Sequence, residues 1–192
     1  MKRLLITGFD PFGGEAVNPS WEAVSKLPDQ VGEWELCKLQ IPTVFGIAAQ
    51  RVLEKAAVVQ PDAIISVGLA GGRPGVTPER IAVNIRDARI PDNAGVQPAG
   101  AFVVDDGPAA YFSTLPVAEM VEAIGTREIP AAVSNTAGTF VCNDVLYTVL
   151  HHYAGTSVRV GFIHVPRVPE QGEPNLPLEK TVEALVAAIE VL

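Results

Sequence analysis

Histidine and cysteine are the scarcest reactive residues of this chain, three of the first and two of the second among 192 residues. Two thiols, Cys37 and Cys142, do not make the disulfide framework of a small secreted domain, and a reducing compartment keeps both free. No Cys/His grouping has zinc-site spacing, so no metal and no other cofactor is expected. Positive charge is also short, 14 Lys and Arg against 22 Asp and Glu, for a formal charge of -8. Nucleic acid and anionic membrane surfaces are read by clustered cations, so neither partner is expected. Long apolar runs are missing as well. Nothing approaches the roughly 18 residues of a membrane helix, and the opening "MKRLLITGFDPFGG" meets Asp10-Pro11 before a signal-peptide core forms. The expected location is the cytoplasm.

The residues that are present suit a folded core: 48% are apolar and 19% charged, far from a disordered composition. Residues 1–192 are expected to form a single domain. The runs "RLLITGF", "ELCKLQI", "AIISVGLA", "AAVSN" and "VRVGFIHV" have strand length and near-continuous apolar character. That is the pattern of a parallel sheet covered on both faces. Helical patterns alternate with them in "NPSWEAVSKL", with Asn18 as cap and Pro19 at the first helical position, and over 43–60, 110–125, 139–154 and 176–192. The expected architecture is therefore α/β, a three-layer α/β/α sandwich with a mainly parallel central sheet. "ERIAVNIRDAR" breaks the pattern by alternating Ile81, Val83 and Ile85 with polar neighbours, which predicts a half-exposed strand antiparallel to the rest and a partly mixed sheet. The stretch 91–108, rich in Pro, Gly, Asp and Asn, reads as a long surface excursion.

Ligands of open parallel sheets bind beyond the carboxyl ends of the strands, which here carry "GFDPFGG", "GLAGGRPGVTPER", "NTAGTFVCND" and "HVPRVPEQGEPN". The first has no dinucleotide or P-loop glycine spacing, but its Phe9 and Phe12 suggest walls of a small apolar pocket. Cys142 falls in the first turn of the helix predicted over 139–154, with Thr139 as a possible cap. The positive end of the helix dipole would lower its pKa and favour a nucleophilic thiolate, whereas most free cysteines simply pack. Both readings stay open on position alone. A nucleophilic cysteine needs a base. His151 and His152 lie at the far end of the same helix, about 14 Å away, which leaves His164, at the carboxyl end of its strand. An orienting carboxylate would come from Glu79, Asp87, Asp92, Asp105 or Asp106. An antiparallel strand starting at Glu79 would set that residue on the same rim, though spacing alone does not decide among the five.

The stretches "TGFDPFGGEAVNPSWEAV", "GLAGGR", "ERIAVNIRDARIPDN", "DGPAAYFSTLP", "PAAVSNTAGTFVCND" and "GFIHVPRVPEQ" together resemble one family, the pyrrolidone-carboxylate peptidases, or type I pyroglutamyl-peptidases. They are collinear and span most of residues 4–171. The resemblance implies a cysteine exopeptidase that removes N-terminal pyroglutamyl residues from peptides without a cofactor and assembles as a homo-oligomer, dimer or tetramer. It places the nucleophile at Cys142, its histidine at His164, the carboxylate at Glu79 and an oxyanion arginine at Arg89. It implies a lactam pocket lined by Phe9, Phe12, Thr43, Leu69, Ile90, Phe140 and Val141. One departure is "GLAGG", where many members carry Gln in place of Leu69; a backbone contact there would survive the change. The glycine loops also suit a nucleoside-phosphorylase-like α/β enzyme, and an inert Cys142 would suit a small-ligand binding module.

Overall fold

The structure, a computed structural model, describes all 192 residues. Four parallel strands form its centre: β1 (Lys2–Phe9), β3 (Trp34–Ile41), β4 (Ala63–Leu69) and β8 (Arg159–Val165). Two short strands, β2 (Gln30–Val31) and β5 (Thr77–Pro78), close the edges antiparallel to their neighbours, in the order β2-β3-β1-β4-β8-β5. The apolar runs become the middle strands because both of their faces are covered. Leu4, Ile6, Ile65, Val67, Ile163 and Val165 pack on one side, and Leu5, Ile64, Val160 and Phe162 on the other. This is the period of two that a pleated strand imposes.

The first face is covered by α1 (Pro19–Lys26), α3 (Val117–Gly125) and α5 (Leu178–Glu190), through side chains such as Val24, Met120 and Leu185. The second is covered by α2 (Ile47–Val59) and α4 (Val141–His152), through Ala48, Val52, Val145 and Val149. The three-layer α/β/α arrangement with a mixed, mainly parallel sheet is thus the one expected. Asn18 caps α1 by accepting from Ser20 N–H, with Pro19 in the first turn. No helix is long and apolar enough to cross a membrane.

Four local expectations are corrected. "AAVSN" is not a strand of the central sheet but is held by single bridges, Val76 to Ala131 and Glu79 to Ser134. Hydrogen bonds from Ala132 and Ser134 N–H to Val76 and Pro78 O run along this edge, but Pro78 has no N–H to return one, so the ladder is interrupted. Residues 110–112 are not helical; they form β7 (Ala110–Phe112), and α3 starts only after Pro116. The alternating stretch yields a short β6 (Ile81–Val83), paired with β7 in a separate two-stranded sheet. Beyond it the buried Asn143 of α4 takes over, accepting from Val83 N–H and donating to Val83 and Ile85 O. Finally, Thr139 does not cap α4. The N-cap is Phe140, and the Thr139 hydroxyl donates to Asp87 O.

The excursion between β6 and β7 is tied down by buried polar groups. Asp92 accepts from the Phe45, Ala94 and Val96 N–H groups, Asn84 bridges to residues 103, 104 and 107, and Arg86 pairs with the fully buried Asp144 at 2.6 Å.

Gly8 lets α1 lie directly on β1, since a Cβ there would meet Trp21 Cα at 2.6 Å and Ser20 C at 2.8 Å. Backbone atoms cannot swing aside, so Gly8→Ala is expected to lower the unfolding free energy by about 1–3 kcal/mol. Urea denaturation measures this, and an unchanged midpoint would show that α1 is not pinned there.

Candidate active site

Three segments bring reactive side chains to the carboxyl end of the sheet, on the face covered by α4. Cys142 occupies the first turn of α4. Its Sγ lies against Gly68 near the end of β4, 2.9 Å from where a Gly68 Cβ would stand, with the Phe162 ring on the same spot at 2.7 Å. Gly68 is the register partner of His164 on β8, and adjacent strands are separated by about 4.8 Å. A side chain at Gly68 would therefore fill the space that the thiol takes beside the imidazole.

Glu79 arrives from the other side. It follows β5 directly, and its backbone N–H donates to Phe162 O, which fastens it to β8. Its side chain is fully buried, and Oε1 lies 2.6 Å from His164 Nδ1. The same oxygen accepts from Arg73 Nη1 at 2.6 Å. Of the other carboxylates considered, Asp92 serves the excursion, and Asp87, Asp105 and Asp106 are exposed. Only Glu79 touches the imidazole. His151 instead bonds Tyr111 at the distal end of α4, and Cys37 sits within β3.

Burial works to raise the Glu79 carboxyl, but hydrogen bonding and charge from His164, with help from Ser134 and Arg73, hold it below its ordinary 4.5. An ionised carboxylate only accepts, so His164 Nδ1 carries the proton and Nε2 has the free lone pair in the neutral ring. His164 is lowered from 6.5, chiefly by burial and further by the charge of Arg73, against the raising effect of Glu79. For Cys142 the expectation of a lowered pKa is overturned. Burial first, then the charge of Glu79, push the thiol up to about 12, outweighing Arg73 and the residue's own N–H. The resting state at neutral pH is therefore a thiol beside a neutral imidazole, and the thiolate forms only when its proton moves.

A cavity of about 490 Å³ opens onto the thiol. Phe9, Phe12, Thr43, Leu69, Arg89, Ile90 and Phe140 all line it, with Phe140 packed between Phe12 and Phe45 at centroid distances of 5.2 Å. Phe9 is no exposed loop residue; it ends β1 and is almost wholly buried. Val141 does not reach the cavity. One position along the helix from Cys142, it turns into the core and is fully buried. Arg89 is exposed at the cavity wall. Asp10 braces the wall from behind by accepting from the N–H and hydroxyl of Thr43 at 2.7 and 2.8 Å. Sequence reading passed over Arg73 and Arg167. Arg167 lines the cavity with its guanidinium against Gly71, and the one local signal for Arg73 is a cation closing the glycine loop "GLAGGR".

A family model described as "Pyroglutamyl peptidase" matches residues 2–192. The chain is 47% identical over 197 residues to a pyrrolidone-carboxylate peptidase of Thermoanaerobacter sp. (strain X514), covering 99% of this chain and 97% of the relative. It is 52% identical over 171 residues to one of Enterococcus faecalis, covering 88% and 80%. Among solved structures, the Bacillus amyloliquefaciens pyroglutamyl peptidase I superposes with a TM-score of 0.96 at 47% identity, over 100% of this chain and 96% of the other. The pyrrolidone carboxyl peptidase of Thermococcus litoralis superposes at 0.95 and 37% identity, over 100% and 93%.

Acid should weaken the fold in two steps, because both buried groups bind protons less well folded than unfolded. Stability is expected to fall as pH drops below 6.5, where unfolded His164 takes up its proton first. The Glu79 contribution is complete above 4.5 and is lost as pH falls through its lower folded value. Urea midpoints measured from neutral pH down to about pH 4 check both steps. A His164→Asn variant should lose the upper step alone, and a wild-type midpoint that stays flat down to about pH 5 would contradict the burial of a neutral imidazole.

Proposed function

The chain belongs to the pyroglutamyl peptidase family, and we propose that Cys142, His164 and Glu79 carry its hydrolysis of the bond after an N-terminal pyroglutamyl residue. The observation that bears most weight is the chain of contacts from Glu79 Oε1 to His164 Nδ1, with Cys142 Sγ packed on the strand partner of His164.

Substrate enters with its lactam ring among the aromatic walls and its scissile carbonyl at Sγ. Cys142 Sγ bonds to the carbonyl carbon while its proton passes to His164 Nε2, and the electron pair of the C=O moves to oxygen. Because the thiol resists ionisation by itself, transfer to the imidazole accompanies the attack instead of preceding it. Glu79 stabilises the imidazolium through Nδ1. Arg89 and the unpaired N–H groups in the first turn of α4 face the developing oxyanion, a kind of contact worth about 3–4 kcal/mol. The tetrahedral species then collapses, the C–N bond breaks, and the leaving amine takes the proton from His164. Water, deprotonated by the same imidazole, cleaves the thioester, and pyroglutamate leaves as the thiol regains its proton.

A pyroglutamyl residue has no charged amine, and the side of the cavity formed by Phe9, Phe12, Ile90 and Phe140 suits such a ring, while Glu15, Asn18, Arg89 and Arg167 line the rest. Residues 1–192 serve as one peptidase domain in this reading. The substrates are peptides bearing N-terminal pyroglutamate, cleaved without a metal or other cofactor. Two free thiols are compatible with work in the cytoplasm. Exposed Ile90, Val96 and Phe102 along the excursion, with Phe112 beside it, support assembly into a homo-oligomer.

Cys142→Ser is expected to lower hydrolysis of a pyroglutamyl chromogenic amide by about 10³-fold or more. Glu79→Gln should cost less, about 10²-fold, and alter the pH profile. The wild type should prefer pyroglutamyl over prolyl amides, since a prolyl ring brings a protonated nitrogen against the Phe9, Phe12 and Phe140 walls where a pyroglutamyl ring brings an uncharged lactam. Full activity of Cys142→Ser, or equal turnover of the two amides, would overturn the assignment.

A further inference from the structure

The guanidinium of Arg73 touches the buried carboxylate on which His164 leans, although its own position is outside the cavity wall. A turn closed by Arg73 N–H on Ala70 O sets the side chain inward. Nη1 donates to Glu79 Oε1 and to Thr77 Oγ1, both at 2.6 Å, and Nη2 donates to Thr136 O at 2.8 Å. The fork thus ties together the strand before Glu79, the carboxylate itself and the loop leading to Cys142. Glu79 Oε1 is shared between the imidazole and the guanidinium, while Oε2 is buried without a hydrogen-bond partner. The contacts to His164 and Arg73 thus both fall on one oxygen, and a rotation about the terminal bond would exchange the oxygen facing His164.

Building on the peptidase reading above, we propose that Arg73 is a positioning residue for the hydrolysis. It pins Glu79 Oε1 against His164 Nδ1 and balances the buried charge, so that the imidazole need not do so as a resting cation. The charged and titratable groups facing the imidazole are Glu79 from the segment after β5, Cys142 from α4 and Arg73 from the loop after β4. Removing the guanidinium leaves Glu79 with His164 as its one charged partner. The ring then holds a proton to higher pH and is not available as a base. Lysine keeps the charge but has a single nitrogen where the fork uses two.

The test compares wild type with Arg73→Gln and Arg73→Lys on a pyroglutamyl amide across pH, with folding checked by circular dichroism. Arg73→Gln is expected to move the acid limb of kcat/KM upward by about one pH unit, and to lower kcat about tenfold or more with KM within about threefold. Arg73→Lys should return the limb to its wild-type position with kcat only partly restored. An unmoved limb in folded Arg73→Gln, or a loss confined to KM, overturns the proposal. Should Arg73→Gln not fold, Arg73→Lys decides, because a kcat equal to wild type would show that the fork pins nothing. Iodoacetamide labelling of Cys142, followed by peptide mass across pH, should shift upward in Arg73→Gln in the same way. This readout needs no substrate. A wild type inactive on pyroglutamyl amides would therefore sink the peptidase reading, while the labelling profile would still decide the role of Arg73.

Discussion

Burying a carboxylate completely is costly unless its charge is matched and its oxygens are satisfied. Glu79 meets the first condition with the guanidinium of Arg73, and the neutral imidazole of His164 adds a hydrogen bond, both on the same oxygen at 2.6 Å. The rest of the site follows from that sharing. An ionised Glu79 dictates which nitrogen of His164 bears the proton, and so which one is free on the side of Cys142. It requires β5 to run along β8, because the Glu79 N–H reaches Phe162 O only from that edge. It also requires the loop after β4 to turn back, since Arg73 has to approach from there. Loss of Arg73 would leave the buried negative charge to be matched by a protonated His164, which links the electrostatics of this corner of the fold to its chemistry.

The thiol is governed by packing to a similar degree. Gly68 leaves open the one space beside His164 that a side chain would otherwise fill, and Sγ takes it with the Phe162 ring as its floor. That enclosure outweighs the helix terminus, so the thiol keeps its proton. The imidazole beside it is kept neutral by the same burial. Directly after Cys142, Asn143 and Asp144 are fully buried and hold the backbone of residues 83–85 and the Arg86 side chain. The first turn of α4 thus carries the thiol and also anchors the excursion that supplies Arg89 and Ile90 to the cavity wall.

Much of the frame was legible before any coordinates. Continuous apolar runs became the doubly covered strands, and Asn18-Pro19 opened a helix as their chemistry requires. His164 could be singled out because only three histidines exist and two lie at the wrong end of α4. The misreadings share one cause. "AAVSN" has strand composition, but whether it pairs fully depends on Pro78, more than 50 residues earlier. "ERIAVNIRDAR" has strand alternation, but Asn143 satisfies its backbone past Val83. Val141 and Phe140 look alike as wall residues until the helix is placed, when one faces the core and the other the cavity.

Composition, apolar periodicity and the rarity of histidine are local properties, and they sufficed for the sandwich, its parallel core, the cysteine at a helix start and a single available base. Register and long-range contact are not local. Glu79 and His164 are 85 residues apart, and nothing in the spacing of five candidate carboxylates could choose between them until β5 was laid against β8. The protonation of Cys142 likewise rested on how tightly distant segments close around it, because burial is a property of the assembled fold, whereas the dipole argument needed only a helix start. The place of Arg73 was decided in the same way, by a loop whose sequence shows a charge but not the buried group that the charge answers.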